Sequence, residues 1–229
     1  MDPGAEQFAL LDRFAALVVG DPGRVPLDRA ALAMSAVLRG RTPEGALDTL
    51  DDVAAGCGER TFEGLRHYLF DELGFGGDAE HYDDPRNSFL DVVLTRRRGL
   101  PILLATVMIE VGRRRGIPVV GVGMPMHFLV RSADDPDVFA DPFTGAALDR
   151  RGARARFDAL SAGRLPWEDR HLEPTVTRLI VVRMLTNLRA SYERRRDVVH
   201  LALVARMRAS IPELRAEEGD AVRLSAVFN

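Results

Sequence analysis

His127 and Asp141 are the residues of this 229-residue chain whose types and spacing point to chemistry. The histidine stands in Met126-His127-Phe128-Leu129-Val130-Arg131 and the aspartate in Val138-Phe139-Ala140-Asp141-Pro142-Phe143. Between them, Ser132-Ala133-Asp134-Asp135-Pro136-Asp137 is polar and turn-forming and is flanked by two short apolar runs, which predicts a β-hairpin. A hairpin symmetric about Asp134 pairs Val130 with Val138 and His127 with Asp141. Directly opposed residues have Cβ atoms roughly 4.5–5.5 Å apart, within reach of a hydrogen bond from imidazole to carboxylate. Such a carboxylate fixes the ring tautomer and stabilises an imidazolium, the task of the third member of a catalytic triad. A satisfied core histidine on an apolar strand is the plainer alternative.

The elements around the pair bear on that choice. In Asn87-Ser88-Phe89-Leu90-Asp91, a serine followed three residues later by an acid predicts a capped helix running to about Arg98. Gly99-Leu100-Pro101 then ends one helix and starts another, glycine suiting the exit and proline the first turn. The helix expected over Ile102–Arg115 carries Leu103, Leu104, Val107, Met108 and Val111 and is apolar on most of its circumference, so it belongs in a core. Gly116-Ile117-Pro118 ends it, and Val119 to Val122 reads as a strand leading toward His127.

The run Arg98-Gly99-Leu100-Pro101-Ile102, Gly116-Ile117-Pro118, Pro125-Met126-His127-Phe128-Leu129-Val130 and Asp141-Pro142-Phe143-Thr144-Gly145 resembles the SirB-type branch of the transglutaminase-like superfamily, specifically over about residues 82–148. The resemblance implies an α+β fold: a papain/transglutaminase-like core, with a buried helix packed on an antiparallel sheet, N-terminal helices and a C-terminal helical hairpin. In the wider superfamily a nucleophilic cysteine sits at the start of the buried helix, a position that falls at or near Pro101 here, and His127 and Asp141 match the remaining two members; the SirB-type branch commonly shows a Gly-Ile-Pro-Ile pattern at this point instead. Leu100, Pro101 and Ile102 cannot attack a carbonyl. Met126 departs from the branch pattern, which often has glycine before the histidine.

A thiol at a helix N-terminus beside an imidazole is acidic and activated; here the residue types for the helix end are present without the thiol. Cys57, the single cysteine, is a candidate nucleophile only if the fold brings it to His127, and a buried small hydrophobe is its plainer reading. Ser88 reads as a helix cap and Thr106 as too deep in the buried helix. His81, Asp83 and Asp84 form a compact cluster with hard ligands, yet adjacent acids before a proline read as a solvated turn, and no metal or other cofactor is expected.

Net charge of −3 argues against a nucleic-acid partner. All 31 basic residues are arginine, and the triplets at 96–98, 113–115 and 194–196 fall near expected helix C-termini, where cations complement the dipole. One cysteine rules out an internal disulfide framework, no start like that of a signal peptide is seen, and no apolar run approaches the ~20 residues needed to cross a bilayer, so cytoplasm is the expected compartment.

Helices are expected over 6–20, 28–39 and from Thr42-Pro43-Glu44, then over about 175–194 and 196–210, the last two resembling a partial tetratricopeptide-like hairpin. The expected division is a helical region at 1–80, the transglutaminase-like core at 81–150, a connecting segment at 151–174 anchored by Trp167, and the helical hairpin at 175–229. Two functions compete: a non-catalytic module that binds a protein or peptide, and a hydrolase or acyl-transfer enzyme using His127 as general base, oriented by Asp141, with Cys57, water or a substrate group as nucleophile.

Overall fold

The computed structural model describes residues 3–214, which divide into two units, residues 3–43 with 177–214 and residues 44–176. The expected hairpin region extends over 215–229, which lie outside the described residues. The first unit opens with α1 (Pro3–Val18) and α2 (Leu27–Arg39). Leu10, Leu11, Phe14 and Val18 of α1 are buried at helical spacing, as are Ala30, Ala31, Met34, Val37 and Leu38 of α2. Asp21 caps the intervening 3₁₀ turn by accepting from the Gly23 N–H, and α2 stops at Gly40 in the left-handed region.

The second unit begins with α3 (Ala46–Gly56) and α4 (Phe62–Arg66), which continues as a turn of π-helix over His67–Glu72. Strand β1 (Gly76–Gly77) follows, then a 3₁₀ turn at Pro85–Ser88, α5 (Leu90–Arg96), β2 (Arg98–Gly99) parallel to β1, and the buried α6 (Pro101–Arg115). Pro101 takes the first turn of α6 and Gly116, at φ 70°, its end. Strands β3 (Val119–Val122), β4 (Leu129–Ser132), β5 (Phe139–Ala140) and β6 (Ala147–Leu148) form an antiparallel sheet in chain order.

Neighbours on a strand point to opposite faces, and Leu129 and Val130 are both fully buried, so both faces of the sheet are covered. Helix α6 packs on β3 and β4. Next in the chain comes α7 (Arg150–Ser161), whose Ala153 and Phe157 join Val122, Met124, Leu129, Phe139 and Leu172 in one apolar cluster, with Trp167 packed against it. The chain returns to the first unit with α8 (Thr177–Arg195) and α9 (Val198–Ala209), which pack on each other and on α2. Arg178 of α8 is buried there, donating to the Val18 and Gly20 carbonyls and pairing with Glu213.

Four expectations are corrected. Ser88 does not cap a helix: it ends the 3₁₀ turn, which Asp84 caps by accepting from the Arg86 N–H, and α5 starts one residue after Phe89 with no side-chain cap. Arg97, at φ 55°, rather than Gly99 takes the left-handed position after α5. Gly99 answers a different need, because a Cβ there would lie 2.7 Å from Val93 Cγ2. Residues 151–174 are more than a connection, since α7 fills half of them. The division also differs from the expected one: α1 and α2 share a unit with α8 and α9, while α3 and α4 belong with the sheet.

Candidate functional site

His127 precedes β4 in a turn, its N–H donating to the Met124 carbonyl at 3.2 Å. Asp141 directly follows β5. The hairpin register pairs Val130 with Ala140 and Arg131 with Phe139, two residues away from the symmetric expectation, so His127 and Asp141 are not opposed strand residues. The turn explains the shift. Ser132 Oγ accepts from the N–H groups of Asp134 and Asp135, and the Ser132 N–H donates to the Val138 carbonyl, which makes 132–138 the last rung.

The two side chains nevertheless meet, with His127 Nε2 2.8 Å from Asp141 Oδ1. Asp141 is fully buried and His127 only 9% exposed. Burial pushes the Asp141 carboxyl up, but the hydrogen bond and charge of His127, the Phe143 N–H and the Arg156 guanidinium together outweigh it and hold the group below its ordinary value. An ionised carboxylate only accepts, so Nε2 carries the proton and Nδ1 is the basic nitrogen of the neutral ring.

The loop carrying Asp141 is fastened from three sides. Its Oδ1 also accepts from the Phe143 N–H at 2.9 Å. The Gly145 N–H donates to the Asp141 carbonyl, and the Asp141 N–H to that of Ala146. Gly145 sits at φ 75° with Phe70 where a Cβ would go, and its carbonyl accepts from Arg66 Nη1 at 2.7 Å. The Phe143 ring occupies the space a Gly77 side chain would need, and the Gly77 N–H donates to the Phe143 carbonyl. Gly77 pairs with Gly99, two residues before α6, and the His127 ring meets Phe143 edge-on at 6.4 Å. The contact chain Gly99, Gly77, Phe143, His127 ties the pair to the N-terminal side of α6.

Sequence reasoning missed Arg156. From α7 its Nη2 lies 2.8 Å from Asp141 Oδ2. The contact is an ion pair without an aligned hydrogen bond, because Oδ2 is buried and no N–H is directed onto it. The legible signal was Asp149, which caps α7 by accepting from the Gly152 N–H, followed by Ala153 and Phe157 at i, i+4 spacing.

The other candidates are buried or bonded to partners other than the pair. Leu100, Pro101 and Ile102 at the start of α6 are buried and offer no nucleophile. Cys57 is buried at the end of α3, and its Sγ donates to the Glu59 carbonyl at 3.3 Å, not to His127. Burial pushes its thiol up, and Glu72 and Glu59 add to the effect against Arg115. Thr106 Oγ1 donates to the Ile102 carbonyl inside α6. Asp84 pairs with Arg86, and His81 lies beside Asp78; among the described residues no group of three or more His, Cys, Asp and Glu is arranged to hold a metal. Of the arginine triplets, Arg97 and Arg98 donate to the Leu73 and Gly74 carbonyls, and Arg113 and Arg114 pair with the buried Glu110.

The profile of the transglutaminase-like superfamily matches residues 30–186, more than half of the chain. This chain belongs to the transglutaminase-like superfamily. Within that superfamily it is similar to a UPF0162 protein of Xylella fastidiosa, 46% identical over 134 residues covering 56% of this chain and 47% of the relative. A UPF0162 protein of Vibrio cholerae is 30% identical over 133 residues, covering 57% and 49%. F-box only protein 21 of Mus musculus is 35% identical over 72 residues, covering 31% of this chain and 12% of that protein. The chain thus spans about half the length of the bacterial relatives it matches. No solved structure matches it significantly. Among the described residues no helix is long and apolar enough to cross a membrane.

Proposed function

We propose that this chain is a non-catalytic member of the SirB-type branch, a cytoplasmic protein- or peptide-binding module that retains the His127–Asp141 pair without covalent chemistry. The observation that carries the reading is the start of α6: buried Leu100, Pro101 and Ile102 stand where the wider superfamily has a thiol. Cys57 does not supply one, since its hydrogen goes to the Glu59 carbonyl and burial disfavours its thiolate. The pair then serves as architecture, joining the turn at His127 to the loop at Asp141. The exposed side chains of Tyr82 and Met126 beside it supply apolar contact surface for a partner. The helices α8 and α9 are read as the partial tetratricopeptide-like pair of that branch.

The test compares wild type with His127→Ala on a panel of peptide and ester substrates, measuring hydrolysis and amine transfer. Equal, background-level rates are expected, and a measurable wild-type rate lost in the variant sinks the reading. The second reading, His127 as a general base acting on water or a substrate group, draws on one observation: Asp141 fixes the tautomer that leaves Nδ1 basic.

A further inference from the structure

Arg156 sits at this site with most of its hydrogen-bonding capacity unused. Its side chain is 33% exposed. Nη2 faces Asp141 Oδ2 and donates weakly to Thr144 Oγ1 at 3.4 Å. Nε and Nη1 have no partner among the described residues, although guanidinium carries five N–H donors in a planar fork. Asp141 cannot take up this capacity. It lies in contact but out of alignment, and its Oδ1 is occupied by the His127 ring and the Phe143 N–H.

We propose that Arg156, with the exposed Thr144 hydroxyl, is a binding site for a carboxylate, and that the carboxylate is the C-terminus of a peptide. The planar fork matches a carboxylate's two oxygens. Charge narrows the choice: Asp141 already supplies one negative charge beside Arg156, so a second single charge is balanced better than the double charge of phosphate. Of the three further arginines of α7, Arg150 pairs with Asp137 and Arg154 lies 3.8 Å from Asp158, and Arg151 adds positive potential. Apolar surface for the residues preceding the carboxylate is present in Met126, next to His127, and in Tyr82, whose ring lies 5.9 Å from that of Phe143. This assignment rests on the peptide-binding reading above and names its ligand class.

The test titrates the protein with N-acetylglycine, N-acetylglycinamide and inorganic phosphate while the Arg156 Nε and Thr144 amide resonances are followed by NMR. Saturable shifts are expected with N-acetylglycine, at least fivefold weaker binding with phosphate, and none with the amide. Arg156→Gln abolishes the shift at Thr144. Thr144→Ala, which leaves the Arg156–Asp141 pair intact, weakens binding several-fold and guards against a folding defect in the first variant. The amide shifting as strongly as the acid overturns the carboxylate and leaves peptide binding standing. Phosphate binding more tightly than N-acetylglycine makes this a phosphate site and overturns the assignment, as does unchanged affinity in both variants. Failure of the non-catalytic reading would register separately, as a measurable wild-type rate lost in His127→Ala in the turnover comparison.

Discussion

Asp141 is shared between two cationic or potentially cationic partners, His127 Nε2 at 2.8 Å from Oδ1 and Arg156 Nη2 at 2.8 Å from Oδ2. With the imidazole neutral, carboxylate and guanidinium balance each other, so the site is close to neutral without any proton on Nδ1. This separates it from an isolated His–Asp pair, where the carboxylate's full charge acts on the ring. Removing the negative charge leaves the Arg156 guanidinium without its counter-ion and gives the buried His127 ring a weaker, neutral acceptor. Asp141→Asn is therefore expected to cost about 3–5 kcal/mol, the range for breaking a buried pair on one side. Arg156→Gln, at a partly exposed guanidinium, costs about 1 kcal/mol or less. Urea unfolding monitored by circular dichroism measures both, and a loss under 0.5 kcal/mol for Asp141→Asn contradicts the structural role given to the carboxylate.

The depressed Asp141 carboxyl gives stability a pH dependence. Its folded-state value lies below the ordinary 3.8, so between the two values the unfolded chain binds the extra proton and stability rises with pH. The contribution is complete above about pH 5 and is lost as pH falls through the folded value. Asp78, Asp84, Asp197 and Glu213 are depressed as well and steepen the same limb. The measurement is thus a difference: the stability gap between wild type and Asp141→Asn should narrow steadily from pH 5 to pH 2. A gap that stays constant would show that the carboxyl is not held down.

Met126 takes a conformation that glycine takes freely, φ 66°, immediately before His127. A left-handed residue with a Cβ costs roughly 1–2 kcal/mol, partly offset by the unfolded-state entropy that glycine brings. Met126→Gly should therefore be more stable than Met126→Ala by about 1 kcal/mol, the two variants having lost the same exposed side chain. Thermal unfolding of the two provides the reading, and alanine equal to glycine would mean the turn relaxes out of the left-handed region.

Much of the scaffold was legible locally. Pro101, Gly116 and the apolar run between them define α6 by residue type alone, and Val119–Val122 emerges as a strand for the same reason. The meeting of His127 with Asp141 was also legible, but for a partly mistaken reason: the hairpin exists, while its register depends on the Ser132 hydroxyl drawing in the turn, a side-chain effect that strand patterning does not encode. Arg156 was hidden because α7 is arginine-rich, and only Asp149 and the Ala153–Phe157 spacing mark it as an element. The grouping of α1 and α2 with α8 and α9 rests on contacts between residues far apart in the chain, such as Arg178 with Val18, 160 positions away, and no local pattern announces them.

Gly99 allows the chain to pass close to α5 on its way into α6. A Cβ there would lie 2.7 and 3.0 Å from the two Val93 methyl carbons and 3.4 Å from the Asn87 carbonyl oxygen. Val93 is fully buried and cannot swing aside. Gly99→Ala should cost about 1–3 kcal/mol by overpacking.

The Val93→Ala substitution removes both obstructing methyls, so in the double variant the Gly99→Ala penalty should shrink by at least half, a coupling of about 1 kcal/mol. Strict additivity in the denaturation cycle would mean the penalty comes from the Asn87 carbonyl or from the backbone.

Cys57 gives the sharpest solution test of whether this fold holds a usable nucleophile. Its thiol is buried, bonded to the Glu59 carbonyl and pushed up by burial, so the thiolate is scarce and shielded in the native state. Reaction with a disulfide reagent such as dithionitrobenzoate at pH 8 should be at least about a hundredfold slower for native protein than for protein unfolded in guanidinium, because the reagent reaches the thiol only on local opening. A native rate equal to or above the denatured rate would mark an activated thiol. His127→Ala sharpens the result: an unchanged Cys57 rate is expected because the histidine does not bond the sulfur, whereas a slowed reaction would restore Cys57 as partner of the pair and return this chain to the enzyme reading.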